Sequence, residues 1–465
     1  VSLEDTIVAI STAQGPAAIV VIRLSGSLAC KIIREIFQPA RKPAKEDWLQ
    51  THKAVLGNLK RPERGEIIDQ VVVTPYLAPM SYTGDDLIEI SAHGSQIVAR
   101  QILSLCTDLG ARHARPGEFT ERAFLAGKLD LTQAEAVLDL IQAKTVKQSR
   151  QAISALSGDI GRHIREVRQR LLLLLSSIVA AIDFPDEMPE LPPTNMEEII
   201  SDSMRLLKRL ASTARSGKYL REGLRLAIVG RPNVGKSSLL NQLLQIERAI
   251  VTDIPGTTRD SLEELIDING IPVILIDTAG IRDTTDKVES IGIERTKQAI
   301  SSADLILLLE DITKGWGEEE DVILPLIDTK PWLHVLNKID LLESKAQLEL
   351  SAKLPNKLSS PYANVLIAAK SGQGVETLCE AIEQWATGDG AGLDLGVSLN
   401  ERQAVLCDQA LKALALVSET IEKGLPQDCL ATDLKQAIDC LSEMCGELVS
   451  EELISLVFAN FCIGK

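Results

Sequence analysis

Apolar and polar positions divide the chain into stretches of different period. Within residues 1–118 the short runs Ile7–Ile10, Ala17–Leu24, Ile67–Val73 and Leu87–Ser91 are rich in Val and Ile and bounded by Gly and Pro, which predicts strands. Ser27–Phe37 and Gln96–Leu109 carry helical spacing between them, so this part reads as α+β. From Glu118 to Ser216 the pattern turns helical. Ala134, Val137, Leu138 and Ile141 share one helix face, and Ile164–Ile182 continues the period. Asp183–Pro193 contains four prolines and predicts a loop, followed by a helix over Met196–Arg215. Residues 217–384 alternate strands (225–229, 271–276, 304–309, 332–336 and 363–367) with helical segments, the pattern of a parallel sheet with crossover helices. Beyond Gly388–Gly392 helices resume at Arg402–Ile421, Asp433–Glu443 and Glu451–Ala459.

Helices on both sides of the α/β block predict a multidomain α/β and α protein. Residues 1–118 form an α+β domain, and 119–216 with 385–465 form an all-α domain. The block 217–384 is inserted into the helical domain, since domain termini often lie close together. At 465 residues there is length for several cores.

Charge narrows the choice of partners. The formal net charge is −16, with 49 Lys+Arg against 65 Asp+Glu, so bulk charge argues against non-specific nucleic-acid binding and any RNA contact needs a local basic surface. The stretch 144–170 holds Lys144, Lys147, Arg150, Arg162, Arg165, Arg168 and Arg170 against Asp159 and Glu166, which reads as an RNA contact or as a solvated helix face. Aromatics make up only 3%, which argues against base-stacking platforms. The eight cysteines show no C-x-x-C spacing and predict reduced thiols, with Cys440 and Cys445 at buried helix positions. The longest apolar run, Leu171–Ile182, is too short to span a bilayer, and no basic-then-apolar leader opens the chain. A cytoplasmic protein without a membrane contact is expected.

The chemistry concentrates in the α/β block. Gly230–Ser237 reads G-R-P-N-V-G-K-S between a strand-like run and a helix-like run, the setting a P-loop needs. Asn233, Val234, Gly235, Lys236, Ser237 and Ser238 would wrap the phosphates, with Lys236 reaching the β- and γ-phosphates and Ser237 holding Mg²⁺. Asp277, Thr278, Ala279 and Gly280 end the strand 271–276, where a carboxylate meets Mg²⁺ through water and Gly280 offers an N–H to the γ-phosphate. Asn337, Lys338 and Asp340 end the strand 332–336, and the Asp340 carboxylate matches guanine's N1–H and exocyclic amine. The nucleotide is therefore GTP or GDP. Ala368, Ala369 and Lys370 stand where the last guanine motif commonly carries a serine, so a hydroxyl brace is absent while the backbone contact survives.

Between these motifs lies a first switch made of Thr252, Asp253, Ile254, Pro255, Gly256, Thr257 and Thr258. Thr258, with Thr257 beside it, is the threonine expected on Mg²⁺. Ile281 occupies the place where Ras-like proteins carry a water-orienting glutamine, so another group must do that work. No arginine finger is evident. The side-chain oxygen of Asn233 is placed to help bind a monovalent cation that would supply positive charge instead.

With these motifs, the terminal C-I-G-K of Cys462–Lys465 and the G-T-T-R-D of Gly256–Asp260, the full chain resembles the MnmE (TrmE) family of tRNA-modification GTPases. The resemblance implies an N-terminal folate-binding-like domain, a helical domain and an inserted Ras-like GTPase domain. It implies a potassium-stimulated GTPase that forms a homodimer through its first domain. The K⁺ ligands would be Asn233, Thr252, Ile254 and Thr257, and Glu289 would orient the attacking water through a second water. With a flavin-containing partner, MnmG, in a heterotetramer, the family builds a 5-carboxymethylaminomethyl-type group on the tRNA wobble uridine. The one-carbon unit comes from a 5-formyl- or methylene-tetrahydrofolate. Its folate residues match Arg23, Glu89 and Lys128, with Lys465 near the pocket. Cys462 reads either as a thiol nucleophile or as an inert helix-end cysteine. A ribosome-assembly GTPase is the alternative, although residues 1–118 show no KH-type G-x-x-G loop.

Overall fold

A computed structural model describes residues 5–13, 15–41, 48–63, 65–184, 186, 192–246, 264–276, 297–327, 330–342, 364–388 and 396–465. It divides into two compact units, one of residues 1–138, 161–168 and 441–465, the other of residues 139–160 and 169–440.

The first unit is built on a seven-stranded sheet. Its strands are β1 (Ile7–Ile10), β2 (Ile19–Ser25), β3 (Phe37–Pro39), β4 (Val55–Lys60), β5 (Ile67–Tyr76), β6 (Leu87–His93) and β7 (Arg112–His113). The order is β3-β4-β5-β6-β2-β1-β7, antiparallel except for the β1–β7 pair. Helices α1 (Ala29–Ile36) and α2 (Gln96–Asp108) cover one face. Ala29, Ile32, Ile33 and Ile36 recur at i, i+3, i+4 and i+7, which gives α1 one apolar stripe to bury against Ile22, Leu24 and Ile88. Strands β3, β4 and β7 were not expected from the sequence. β3 and β7 are only three and two residues long, and Gly57 interrupts the alternation of β4, where a Cβ would lie 2.3 Å from the Gln38 carbonyl.

On the opposite face Ile7, Ala9, Leu87 and Ala114 pack against Phe119 of α3 (Glu118–Leu125). Glu118, 1% exposed, opens this helix. Its carboxylate accepts from both terminal nitrogens of Arg112 at 2.5 and 2.8 Å, from the Arg115 backbone N–H at 2.8 Å and from Arg122 at 3.2 Å. Arg122 also donates to the Asp5 carboxylate at 2.6 Å, which ties the helix to the segment before β1. Burial alone would raise the pKa of Glu118, but these donors outweigh it and the net shift is downward. A folded-state value below the unfolded one contributes stability above the ordinary carboxylate pKa, and that stability is lost as pH falls through the folded value. Glu118→Gln should therefore lower stability near neutral pH by roughly 3 kcal/mol. It should also flatten the acid limb of a thermal-midpoint profile. A variant profile running parallel to the parent's through that limb would remove Glu118 from the acid response.

Helices α4 (Leu131–Gln142) and α14 (Glu451–Ala459) bring Leu131, Ala134, Ile454, Phe458 and Phe461 into one cluster that carries the chain end back to this unit.

The second unit holds a six-stranded sheet of β8 (Leu224–Val229), β9 (Glu264–Ile268), β10 (Ile271–Ile276), β11 (Leu305–Asp311), β12 (Trp332–Asn337) and β13 (Val365–Leu366). The order is β13-β12-β11-β8-β10-β9, parallel as expected except for the β9–β10 hairpin. Asn269 (φ 52) and Gly270 (φ 85) form that hairpin's turn, an Asn-Gly signal that the sequence reading passed over.

Helix α5 (Val146–Leu156) grips the hairpin. Thr145 and Gln148 form a capping box, and the Thr145 hydroxyl donates to the Gly270 carbonyl at 2.7 Å. Lys147 pairs at 2.9 Å with Glu383 of α11 (Val375–Thr387). The helix expected over Met196–Arg215 is two helices, α7 (Pro193–Ser212) and α8 (Ala214–Glu222), which follow the 25-residue α6 (Asp159–Asp183). At the break the Thr213 hydroxyl bonds the Leu210 carbonyl and accepts the Leu399 N–H, a local alternative to the helix ladder. Apolar residues of α7 face Leu406, Ala410, Leu414 and Val417 of α12 (Glu401–Glu422). Helix α13 (Gln427–Cys445) follows.

Cys440 and Cys445 are buried in α13, as expected. Burial pushes the Cys106, Cys407 and Cys445 thiols up to about 12. No helix among the described residues is long and apolar enough to cross a membrane.

Candidate functional site

Strands β8, β11, β12 and β13 run parallel, and the functional loops follow their carboxyl ends, where open α/β sheets bind ligands. After β8 the loop requires glycine twice. At Gly230 (φ 150) a Cβ would lie 2.3 Å from the Leu309 carbonyl, and at Gly235 (φ 105) it would lie 2.2 Å from the Asn337 amide nitrogen. Asn233 also takes positive φ, at 64°. Helix α9 (Lys236–Ile246) then starts with its N-terminus at the loop. Its buried residues Leu239, Leu240 and Leu243 anchor it on the sheet core. A glycine cradle that opens a helix presents backbone N–H groups and a partial positive charge, which fits phosphate.

The Lys236 ammonium donates to the Gly230 and Arg231 carbonyls, both at 2.7 Å. Ser237 is half-buried in the first turn, while Asn233 and Ser238 are exposed and Val234 is buried. Arg231 forms an ion pair with the fully buried Glu320 of α10 (Glu318–Ile327) and donates to the Gly315 carbonyl.

Asn337 joins the guanine motif to the phosphate loop. Its amide donates to the Val234 carbonyl at 2.7 Å and accepts the Ala369 N–H at 2.9 Å, both within the protein interior. Lys338 (φ 70) adds a second tie, donating to the Asn233 carbonyl at 2.9 Å and to Asp311 at 2.6 Å. Burial would raise the pKa of Asp311, but Lys338 and Thr313 outweigh it and hold the carboxyl below its ordinary value. Asp340 follows in a 3₁₀ turn, Ile339–Leu341, with its side chain exposed beside the loop of Ala368, Ala369 and Lys370. The sequence reading missed Asp311, Arg231 and Glu320. The signal for Asp311 was a carboxylate closing a strand that is apolar from Leu305 to Leu309.

Thr252, Asp253, Ile254, Pro255, Gly256, Thr257 and Thr258 lie outside the described residues, as do Asp277, Thr278, Ala279, Gly280 and Glu289.

A second cluster forms on the first unit's sheet, on the face away from α1 and α2. Arg23 and Glu89 are cross-strand partners in the β2–β6 register and form an ion pair at 2.9 Å. The Tyr76 hydroxyl donates to the other Glu89 oxygen at 3.3 Å, and Arg23 lies 5.8 Å from the Tyr82 ring centre. Burial raises the pKa of both tyrosines, with the Glu89 charge adding to it at Tyr76, so both remain donors. Lys465 completes the group. Burial and then the Arg23 charge lower its pKa, while Glu89 pulls the other way. Lys128 instead donates to the Pro79 carbonyl at 2.7 Å. Cys462 is exposed, three residues before the chain end.

A glycine-cradled phosphate loop, bonded through one buried asparagine to an Asn-Lys-x-Asp strand end, defines the class of P-loop guanine-nucleotide proteins. Two family models match the chain: the MnmE helical domain over residues 131–462 and the N-terminus of the GTP-binding protein TrmE over residues 6–128. Among curated relatives, one from Synechococcus elongatus is 44% identical across 99% of both chains. One from Nostoc is 42% identical across 100% of both, and one from Moorella thermoacetica is 41% identical across 100% of both. Each of these relatives bears the name tRNA modification GTPase MnmE. The chain belongs to the MnmE family, and it is a GTP hydrolase whose family uses Mg²⁺ with the nucleotide.

Proposed function

We propose that this protein is a potassium-stimulated GTPase acting in modification of the tRNA wobble uridine, with residues 217–384 as its inserted nucleotide domain. The observation that carries the reading is the end-to-end likeness to relatives named for tRNA modification. The loops joined by Asn337 support its nucleotide half. In this reading Lys236 releases its loop carbonyls to meet the β- and γ-phosphates. Ser237 and Thr258 hold Mg²⁺, and Asn233, Thr252, Ile254 and Thr257 hold K⁺. Glu289 fixes the attacking water, the part that Ile281 cannot play.

The Arg23–Glu89–Lys465 cluster fits a folate. A carboxylate accepts from pterin amino and ring N–H groups, while cationic side chains suit its carbonyl and acidic groups. Tetrahydrofolate, when bound, supplies a one-carbon unit, and this chain's residues bind and orient it. A homodimer, joined by a flavin-containing MnmG-type partner in the cytoplasm, completes the proposal.

The test is mass spectrometry of tRNA nucleosides from cells depleted of the protein and supplied with parent, Lys236→Ala or Glu89→Ala copies. Only the parent should restore the wobble 5-substituent. Glu89→Ala should retain GTP hydrolysis while losing tetrahydrofolate binding. Unchanged nucleosides on depletion would overturn the reading, and ribosome profiles would then become the place to look.

A further inference from the structure

Residues 203–221 contain Arg205, Lys208, Arg209, Arg215, Lys218 and Arg221 and no Asp or Glu, in a chain whose net charge is −16. This local excess lies on α7 and α8. Helix α7 buries Met196, Ile200, Ser203, Leu207 and Leu210. Ser201, Arg205, Lys208 and Ser212 are exposed at i, i+4, i+7 and i+11, a straight stripe about 16 Å long at helical rise. Together with Arg209, Met204 and Ser418 of α12 they line one open groove, and no carboxylate is among its lining residues. Arg205 is paired at 2.9 Å with Asp202, but its side chain is 72% exposed, and such surface pairs contribute about 1 kcal/mol or less.

Three cations of the basic stretch 144–170 are engaged in ion pairs. Lys147 pairs with Glu383, Arg165 with Asp130 and Arg168 with Glu447. On α8, Arg221 turns inward to the Leu399 carbonyl, and Arg215 lies over the Trp385 ring at 4.4 Å. In the α7–α12 groove, by contrast, Arg205, Lys208 and Arg209 line one open surface together.

We infer that this groove binds the sugar-phosphate backbone of RNA, and, resting on the tRNA-modification reading, that of the tRNA substrate. Three cations supply N–H donors of the kind that bond phosphate oxygens, and the Ser201 hydroxyl lies among them. No aromatic lines the groove to stack a base, and phosphate contacts carry no sequence information, so binding there is independent of sequence. Insertion into a membrane would need an exposed apolar face, and the apolar face of α7 is buried.

The test uses the full-length protein, an unmodified tRNA transcript and fluorescence anisotropy across a KCl series. The triple variant Arg205→Gln, Lys208→Gln, Arg209→Gln should bind roughly tenfold or more weakly at low salt. Its slope of log K against log salt should shrink by about two to three, close to one for each phosphate that is no longer neutralised. GTP hydrolysis without RNA should match the parent. The charge-keeping triple Arg205→Lys, Lys208→Arg, Arg209→Lys should retain the parent slope, which separates charge from folding. A parent that binds tRNA with a Gln variant of the same slope overturns the groove alone. A parent that does not bind tRNA removes the underlying reading and the groove with it. If the Gln variant keeps its tRNA slope but no longer binds phosphatidylserine vesicles, the surface faces lipid and the inference is wrong.

Discussion

Replacing Asp340 by Asn will move the protein from guanine to xanthine nucleotides. The side chain is exposed on a 3₁₀ turn whose start is fixed by Lys338 in the left-handed region, so the exchange leaves the packing untouched. A carboxylate accepts from two adjacent donors, the N1–H and the exocyclic amine of guanine. Asparagine keeps one acceptor and sets an N–H against an N–H. One charge-assisted hydrogen bond, about 1.5–3 kcal/mol, is lost and a donor is left unsatisfied at about 1–3 kcal/mol, a cost of roughly 3–6 kcal/mol together. That corresponds to about 10²- to 10⁴-fold weaker GTP binding. Xanthine carries a carbonyl where guanine carries the amine, and the new amide donor meets it. Competition of GTP and XTP against a fluorescent nucleotide reads the switch directly. GTP affinity within a few-fold of the parent would remove Asp340 from base recognition.

The nucleotide loops were legible in the sequence because their chemistry is local. Eight consecutive residues make the phosphate loop and four make the guanine motif, each between a strand and a helix or turn. The bonds between those motifs were not legible. That Asn337 reaches the Val234 carbonyl, 103 positions away, follows from the β8-β11-β12 strand order, which one sequence does not state. Asp311 escaped for the same reason, since its partner Lys338 belongs to the neighbouring strand's loop. The β9–β10 hairpin was readable from Asn269-Gly270 between two apolar-rich runs. At the first unit, resemblance pointed to Arg23 and Glu89. Only the β2–β6 register makes them neighbours across 66 positions.

The chain end yields the second large effect, because Gly464 is a seat that no other residue fits. Its φ is 95°, and a Cβ there would lie 2.1 Å from the Ile10 carbonyl oxygen and 3.0 Å from the Ser11 Cα. Those are backbone atoms at the end of β1, which cannot swing aside as a side chain would. The tail around it is held by Ser11 donating to the Gly464 carbonyl at 3.0 Å, by a bridge between Pro116 and Ile463, and by the Phe119 N–H on the Lys465 carbonyl at 3.2 Å. This seating brings the Lys465 ammonium into electrostatic reach of Arg23 and Glu89. Gly464→Val combines left-handed strain of about 1–2 kcal/mol with overpacking of about 1–3 kcal/mol. The sum, about 2–5 kcal/mol, shifts the seating of the last residues by roughly 30- to 5,000-fold. Tetrahydrofolate binding and wobble modification should fall accordingly, with GTP hydrolysis close to the parent's because Gly230–Ser237 and Asn337–Asp340 belong to the other unit. Lys465→Met leaves the tail seated and removes only the ammonium, so it should retain part of the binding. Were Gly464→Val to bind tetrahydrofolate as the parent does, the tail would have no part in that site, and the Arg23–Glu89 pair would have to serve without it.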